Sequence, residues 1–308
     1  MALTLVEAAK QEENVFKRGV IATFIDNMRI TQLIPFRGIT NDLDGILQEE
    51  VLPNAATRGV NEAFVRSEGK FSEIVQALKI YGGDIGIDPF ILETKGADQA
   101  SRHVGLKIKA ISNRWVTDFF KGDSGADVRD FDGLQLRLDG FNVDSAGSTS
   151  GGDPLSLALL DESIMKCHSP SVLLLGRKMA IRLTQAARDS SVTGSVIRTD
   201  KNEFGRPVMF YNDLEVVIVT DNSANDNILG FTEVATGGGT TASSIYVAGL
   251  GDEGIEGIQN GGFRVRNLGE DNSAPRIDTR VEWYNNYHIN HPRAVIRLRD
   301  IADLAFTG

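Results

Sequence analysis

Apolar positions along the chain follow a helical period in some stretches and a strand period in others. The clearest helical signal is Ala100, Val104, Ile108, Ile111, Trp115 and Phe119, whose spacings of 4, 4, 3, 4 and 4 put them on one stripe of a helix predicted over 97–121. At about 1.5 Å per residue such a helix is about 37 Å long. Gly122 ends it, and Asp88-Pro89 opens a shorter helix before it. Between Pro35 and Gly83 the chain is polar and turn-rich, with one clear strand at 74–81. The segment 57–70 has few large apolar residues, so it has little from which to build a core. An isolated hairpin of that kind is marginal in water and needs something else to lie on.

The Gly/Ser-rich run inside 139–153 predicts a flexible connection between two units. After it the pattern predicts a helix from Asp153-Pro154 to about Lys166, a buried strand at 172–175, and a helix over 177–189 with Met179, Leu183 and Ala186 inward. A hairpin follows, 208–211 with 214–219, turning at Asn212-Asp213. A polar, glycine-rich loop spans 221–243, and strands follow at 245–250, 263–268 and 276–289. At the start, residues 4–28 are helix-prone with an apolar edge of Val20, Phe24, Ile25 and Met28; such an arm packs either on its own domain or on a neighbouring subunit.

Length and composition narrow the picture. The 308 residues exceed what one hydrophobic core usually supports, so more than one packed unit is expected. With 41% hydrophobic and 24% charged residues the chain is neither disordered nor fibrous. The 32 glycines against 8 prolines fit many tight turns. The net charge of −10 excludes a protein drawn as a whole to phosphate backbones or anionic membranes. Cys167 is alone, which excludes a disulfide framework or a cysteine metal cluster and fits assembly in a reducing cytoplasm. Without an apolar leader or a membrane-length apolar run, the chain is expected to be soluble and not exported by a visible signal.

The candidate chemistry is thin. Gly249-Leu250-Gly251-Asp252-Glu253-Gly254 has the dinucleotide spacing, but the residues after it are too rich in glycine for the helix a phosphate cradle requires, and two acids would repel a pyrophosphate; a turn between strands fits better. Ser124 in Gly122-Asp123-Ser124-Gly125 lacks a histidine partner motif. His288 and His291, three apart, do not share a strand face, and no acidic third ligand accompanies them. Asp221, Ser223 and Asn225 suggest a calcium loop, yet Asp226 occupies the glycine position. Neither a catalytic constellation nor a cofactor or metal site is expected, which favours a structural or binding protein. On the long helix, Lys107, Arg114 and Lys121 form a line seven residues apart beside the apolar stripe, with Arg102 and Lys109 on the far side and only Asp98 and Asp118 to offset them.

The order of parts, together with Gly59-Val60-Asn61-Glu62, Lys79-Ile80-Tyr81-Gly82-Gly83-Asp84, Phe131-Asp132-Gly133-Leu134, Glu203-Phe204-Gly205-Arg206, Gln259-Asn260-Gly261-Gly262 and Thr279-Arg280-Val281-Glu282-Trp283-Tyr284, resembles the major capsid proteins of tailed bacteriophages. Their Hong Kong ninety-seven fold is shared with encapsulin shells. The resemblance implies an α+β chain with an N-terminal arm (1–29) and an extended loop (37–84) that lies on an adjacent subunit. It also implies a peripheral domain (30–36, 85–140 and 265–290) with its spine helix at about 97–121, and an axial domain (141–264 and 291–308). It further implies pentamers and hexamers in an icosahedral shell around double-stranded DNA, located in a virion assembled in the bacterial cytoplasm, with portal and possible decoration partners and no membrane.

Arg58, Glu62, Arg66 and Lys70 then belong to the intersubunit loop. Lys107, Arg114 and Lys121 become either a DNA-facing stripe or a solvated face tied up in salt bridges. No motif for a lysine to asparagine cross-link is visible at Lys70. Only about thirty-five residues precede Pro35, so a separate scaffolding protein is expected rather than a large cleaved segment. The acidic charge suits the role, since packaged DNA keeps its counterions and must leave again. The alternatives are an encapsulin-like compartment for cargo protein and, in another class, a soluble nucleotide-dependent enzyme built on 249–254.

Overall fold

A computed structural model describes residues 29–95, 98–188, 197–201, 207–219, 228–271 and 273–306. The expected N-terminal arm except Arg29, Glu203-Phe204-Gly205-Arg206 and the spacing at Asp221 to Asp226 lie outside them. Among the described residues the strands form three sheets. Four strands run in the order β1 (Phe36–Gly38), β11 (Ile255–Glu270), β12 (Ile277–Ile289) and β4 (Lys79–Ile87). Seven run in the order β5 (Val143–Ser145), β13 (Val295–Ala302), β10 (Ala242–Ala248), β6 (Val172–Gly176), β9 (Leu214–Val219), β8 (Pro207–Tyr211) and β7 (Ile197–Lys201). The last two, β2 (Leu43–Val51) and β3 (Lys70–Ala77), pair only with each other. The helices are α1 (Arg29–Leu33), α2 (Pro89–Lys95), α3 (Asp98–Lys121), α4 (Leu134–Arg137), α5 (Leu157–Lys166) and α6 (Arg177–Ala186).

Helix α3 follows the predicted stripe: Val104, Ile108, Ile111, Trp115 and Phe119 are buried, and Val116 and Phe120 widen the buried face. Trp115 stacks on Phe119 with centroids 5.2 Å apart and meets Trp283 of β12 at 5.8 Å. Its Nε1 donates to Asn285 Oδ1 at 2.6 Å, so the indole is buried without losing its hydrogen bond. Phe120 reaches Tyr246 of β10 at 5.4 Å, and the same cluster takes in Val172, Leu174 and Val217, so α3 joins the four-stranded sheet to the seven-stranded one. The period of two places the intervening residues Leu173, Leu175, Val216 and Val247 on the other face, where they pack with Leu160 and Ile164 of α5 and Met179 and Leu183 of α6.

Local chemistry explains the boundaries. Asp88 Oδ1 accepts from Phe90 N at 2.8 Å and caps α2. A Cβ at position 122 would lie 2.3 Å from the Phe131 carbonyl oxygen, so only glycine lets the chain leave α3 there. Asn212 and Asp213, at φ of 46° and 67°, make the two-residue turn expected between β8 and β9.

Several expectations are corrected. The strand predicted at 74–81 is two strands broken at Leu78, whose N–H donates to Asp42 O at 2.9 Å while pairing passes from β2 to β12. The helix predicted from Asp153 begins at Leu157, because Asp153 exchanges backbone hydrogen bonds with Asp300 and Ala302. The flexible connection contains β5, paired with β13. The strand predicted at 245–250 runs from Ala242 to Ala248, and the one at 263–268 is the sixteen-residue β11. The domain limits drawn at 84/85 and 264/265 therefore fall inside β4 and β11.

Candidate assembly surface

The β2–β3 ribbon exposes several large apolar side chains on its outward face. Leu43 stands opposite Ala77, Asp44 opposite Gln76, Ile46 opposite Ile74 and Glu49 opposite Phe71. Asp44, Ile46, Gln48, Ile74 and Gln76 are half-buried toward the body. On the other face Leu43, Leu47, Phe71 and Val75 are 51%, 71%, 68% and 50% exposed. Beyond the strands, Leu52, Val60, Phe64 and Val65 add further exposed apolar surface. Glu73, opposite Leu47, interrupts this face with a carboxylate, and exposed apolar side chains of this kind on a ribbon that is marginal alone make it a candidate interaction surface.

At its base the ribbon is held by polar contacts. Arg37 of β1 pairs with Asp44 and, at 3.3 Å, with Glu256 of β11. Asn286 Nδ2 donates to Ala77 O at 2.6 Å, and Gln48 Nε2 donates to Ile289 O at 2.5 Å. Arg137 of α4 lies 3.9 Å over the Tyr287 ring and donates to Gln76 Oε1 at 3.0 Å and Asp132 O at 2.8 Å. Between ribbon and body is a cavity of about 300 Å³, lined by Gln48, Ile74, Arg137, Leu138, Phe141 and His288 among others.

Of the residues assigned to an intersubunit loop, Arg58 and Glu62 meet near the tip. The Arg58 guanidinium lies 5.3 Å from the Phe64 centroid and donates to Glu62 O at 3.2 Å, and Glu62 Oε2 accepts from Gly59 N at 2.8 Å. Arg66 is exposed, and Lys70 closes the ribbon opposite Val51.

The line of Lys107, Arg114 and Lys121 is not an open stripe. Arg114 donates to Asp118 Oδ2 at 2.8 Å and also pairs with Asp130, while Asp118 accepts from Tyr81 OH at 2.8 Å. Burial raises the Asp118 carboxyl above its ordinary value against the pull of Tyr81 and Arg114. Lys107 lies directly over Gly83, and Lys121 occupies the last turn of α3, where a cation meets the free carbonyls. Asp118 is legible from its i,i+4 spacing; Asp130, sixteen residues from Arg114, carries no signal in sequence.

The remaining motifs resolve into structure. Residues 249–254 form a turn in which Gly254 N donates to Gly251 O at 2.9 Å and which leads into strand β11, so the helix N-terminus that a pyrophosphate needs is absent there. Ser124 N donates to Asp132 Oδ1 at 2.9 Å within a turn. His291 stacks on His168 at 4.0 Å, and His288 is buried under the ribbon. Among the described residues no cluster of three metal-ligating side chains occurs, and no helix is long and apolar enough to cross a membrane.

No protein-family model and no curated protein sequence matches the chain. Solved structures do. The holo-SrpI encapsulin complex from Synechococcus elongatus superposes with a TM-score of 0.64 at 12% identity, covering 91% of this chain and 89% of that one. The chain has the Hong Kong ninety-seven capsid fold. The capsid of the native GTA particle gives a TM-score of 0.64 at 12% identity over 89% and 90% of the two chains. A chain from Mycobacterium phage Bobi gives 0.59 at 12% identity over 97% and 98%. At such identity what is shared is this capsid fold, over most of each chain.

Proposed function

We propose that this chain is a major capsid protein, a structural rather than catalytic subunit that assembles as pentamers and hexamers into an icosahedral shell around double-stranded DNA. The observation that carries the reading is the set of exposed apolar side chains on the outward face of the β2–β3 ribbon, Leu43, Leu47, Phe71 and Val75, which none of the described residues covers. A neighbouring copy in a closed ring covers it without leaving an open end. In this reading the ribbon and residues 52–69 are the extended loop. The four-stranded sheet with α3 is the peripheral domain, and the seven-stranded sheet with α5 and α6 is the axial domain, so that 255–264 pass to the peripheral side.

DNA is met weakly. Arg114 is already offset by two carboxylates, which leaves Lys107 and Lys121 as the basic groups of the proposed inner face. A scaffolding protein and a portal complete the partner set, and the product is a virion assembled in the host cytoplasm.

Negative-stain microscopy of the expressed full chain tests the reading, with closed particles as the expected result. The likeness to an encapsulin complex favours a second reading, a compartment for protein cargo. Particles from an infected or induced host separate the two: nuclease-resistant DNA supports the capsid, and copurifying protein without nucleic acid supports the compartment. A chain that stays monomeric at every concentration overturns both.

A further inference from the structure

His288 lies on the face of β12 that the ribbon covers, and its side chain is 0% exposed. Asp44 Oδ2 is 3.1 Å from Nε2, yet neither ring nitrogen makes a well-directed hydrogen bond. A buried imidazole left in that state is costly. Charges of both signs face it from every element around it. Asp44 comes from β2, Glu256 stands directly opposite on β11, Arg37 of β1 holds both carboxylates, and Arg137 of α4 and Asp132 share the adjoining cavity. The base of the ribbon also carries its polar tethers, from Gln48, Gln76 and Ala77 to Ile289, Arg137 and Asn286.

We propose that this cluster is an acid-released latch: while His288 is neutral the base of the ribbon stays seated on β12, and protonation of His288 lets the ribbon lift. Burial opposes the imidazolium, Asp44 favours it, and Arg137 and Arg37 oppose it again; the balance holds the imidazole below its ordinary pKa. Well above the ordinary value both the seated and the lifted forms are neutral, and the latch is shut. As pH falls through that value the lifted form takes up its proton first, and the seat weakens until the lower pKa of the seated form is passed. The latch needs no shell to exist. Its consequence, that pH sets the angle of the contact surface, rests on the capsid reading.

Hydrogen exchange of the full chain, read by mass spectrometry over residues 43–48 and 72–77, tests it. The exchange rate of the wild type divided by that of His288→Gln at the same pH cancels the chemical rate. The ratio is expected to be flat above about pH 7 and to rise severalfold by about pH 5, as the ordinary histidine value near 6.5 is passed. Asp44→Asn removes a charge that favours the imidazolium in the seated form alone, so the onset stays near the ordinary value while the rise continues to lower pH and ends larger than in the wild type. A ratio that stays flat down to about pH 5, or a rise that Asp44→Asn leaves no larger than in the wild type, overturns the latch. If His288→Gln does not fold, the ratio of the Asp44→Asn rate to the wild-type rate decides the matter: it is expected to grow as pH falls, and a constant ratio overturns the latch. Absence of particles in the microscope bears on the capsid reading alone, and a flat exchange profile in a protein that assembles bears on the latch alone.

Discussion

Replacing Leu47 and Phe71 together by serine separates a surface made for a neighbour from one made for the chain itself. Full burial of a leucine or phenylalanine side chain is worth about 1.5–3 kcal/mol. These two are 71% and 68% exposed, so about 1–2 kcal/mol each is available only when a second copy covers them. The pair therefore contributes about 3 kcal/mol per contact, about a hundredfold in its association constant, and the loss recurs at every copy in a ring. The assay is twofold. Sedimentation and microscopy are expected to show loss of particles across the concentrations at which the wild type assembles, while the thermal midpoint of the unassembled chain stays within about 2 °C, because surface changes away from packed groups move stability by about 0.5 kcal/mol or less. Normal particles from the double variant, or an unassembled chain that melts much earlier, refute the reasoning: the first shows the face is not covered, the second that it is covered from within.

Three further outcomes test the fold. Trp115→Ala empties the centre of the cluster shared by α3 and the two larger sheets and is expected to cost about 3–5 kcal/mol in denaturant unfolding. Gly122→Ala forces a Cβ to 2.3 Å from the Phe131 carbonyl and is expected to cost about 1–3 kcal/mol by the same measurement, unlike an alanine at the open position 105. Burial alone would raise the Asp300 carboxyl, but hydrogen bonds from the Ser145 hydroxyl and the Thr236 hydroxyl and N–H outweigh it and hold its pKa below the usual 3.8. Its contribution is complete above that value and is lost as pH falls through the lower folded pKa. Asp300→Asn keeps a residue that tolerates the observed φ of 63° and is expected to lose about 1.5–3 kcal/mol at neutral pH, with the difference from wild type closing under acid.

The parts readable in sequence are those where one physical signal dominates. The α3 stripe is five turns of consistent period, β6 is an unbroken apolar run that only a strand buried on both faces requires, and Asn212-Asp213 is a pair suited to positive φ. The first half of β11 was hidden because its glycines read as punctuation. Gly257 is there so that the Phe36 ring can lie on its backbone, where a Cβ would stand 2.4 Å from the ring, and Gly261 and Gly262 absorb a bulge at φ of 71° and 68°. The break at Leu78 has no glycine or proline to mark it; it is imposed by a change of partner strand, which is long-range information. For the candidate surface, the lack of a core in 57–70 was legible, but the apolar outward face of β2 and β3 depends on which alternate residues face the body, and so on Asp44, Arg137 and Asn286 seating it.

The packing also bears on how the proposed capsid subunit would fit rings of different order. One buried cluster runs from β1 through α3 and β12 to β6, β9 and β10, so the two larger sheets cannot move apart without opening a face lined by Trp115, Trp283 and Tyr246. No residue between Leu43 and Ala77 belongs to that cluster or to the one beneath α5 and α6. The ribbon's angle is therefore set by the polar contacts around Asp44, Gln48, Gln76 and Ala77, which cost about 1 kcal/mol each to rearrange, against several for each large side chain uncovered in the body. In the proposed capsid, a change of angle between a five-fold and a six-fold neighbour would fall on the hydrogen bonds at the base and leave the aromatic core intact.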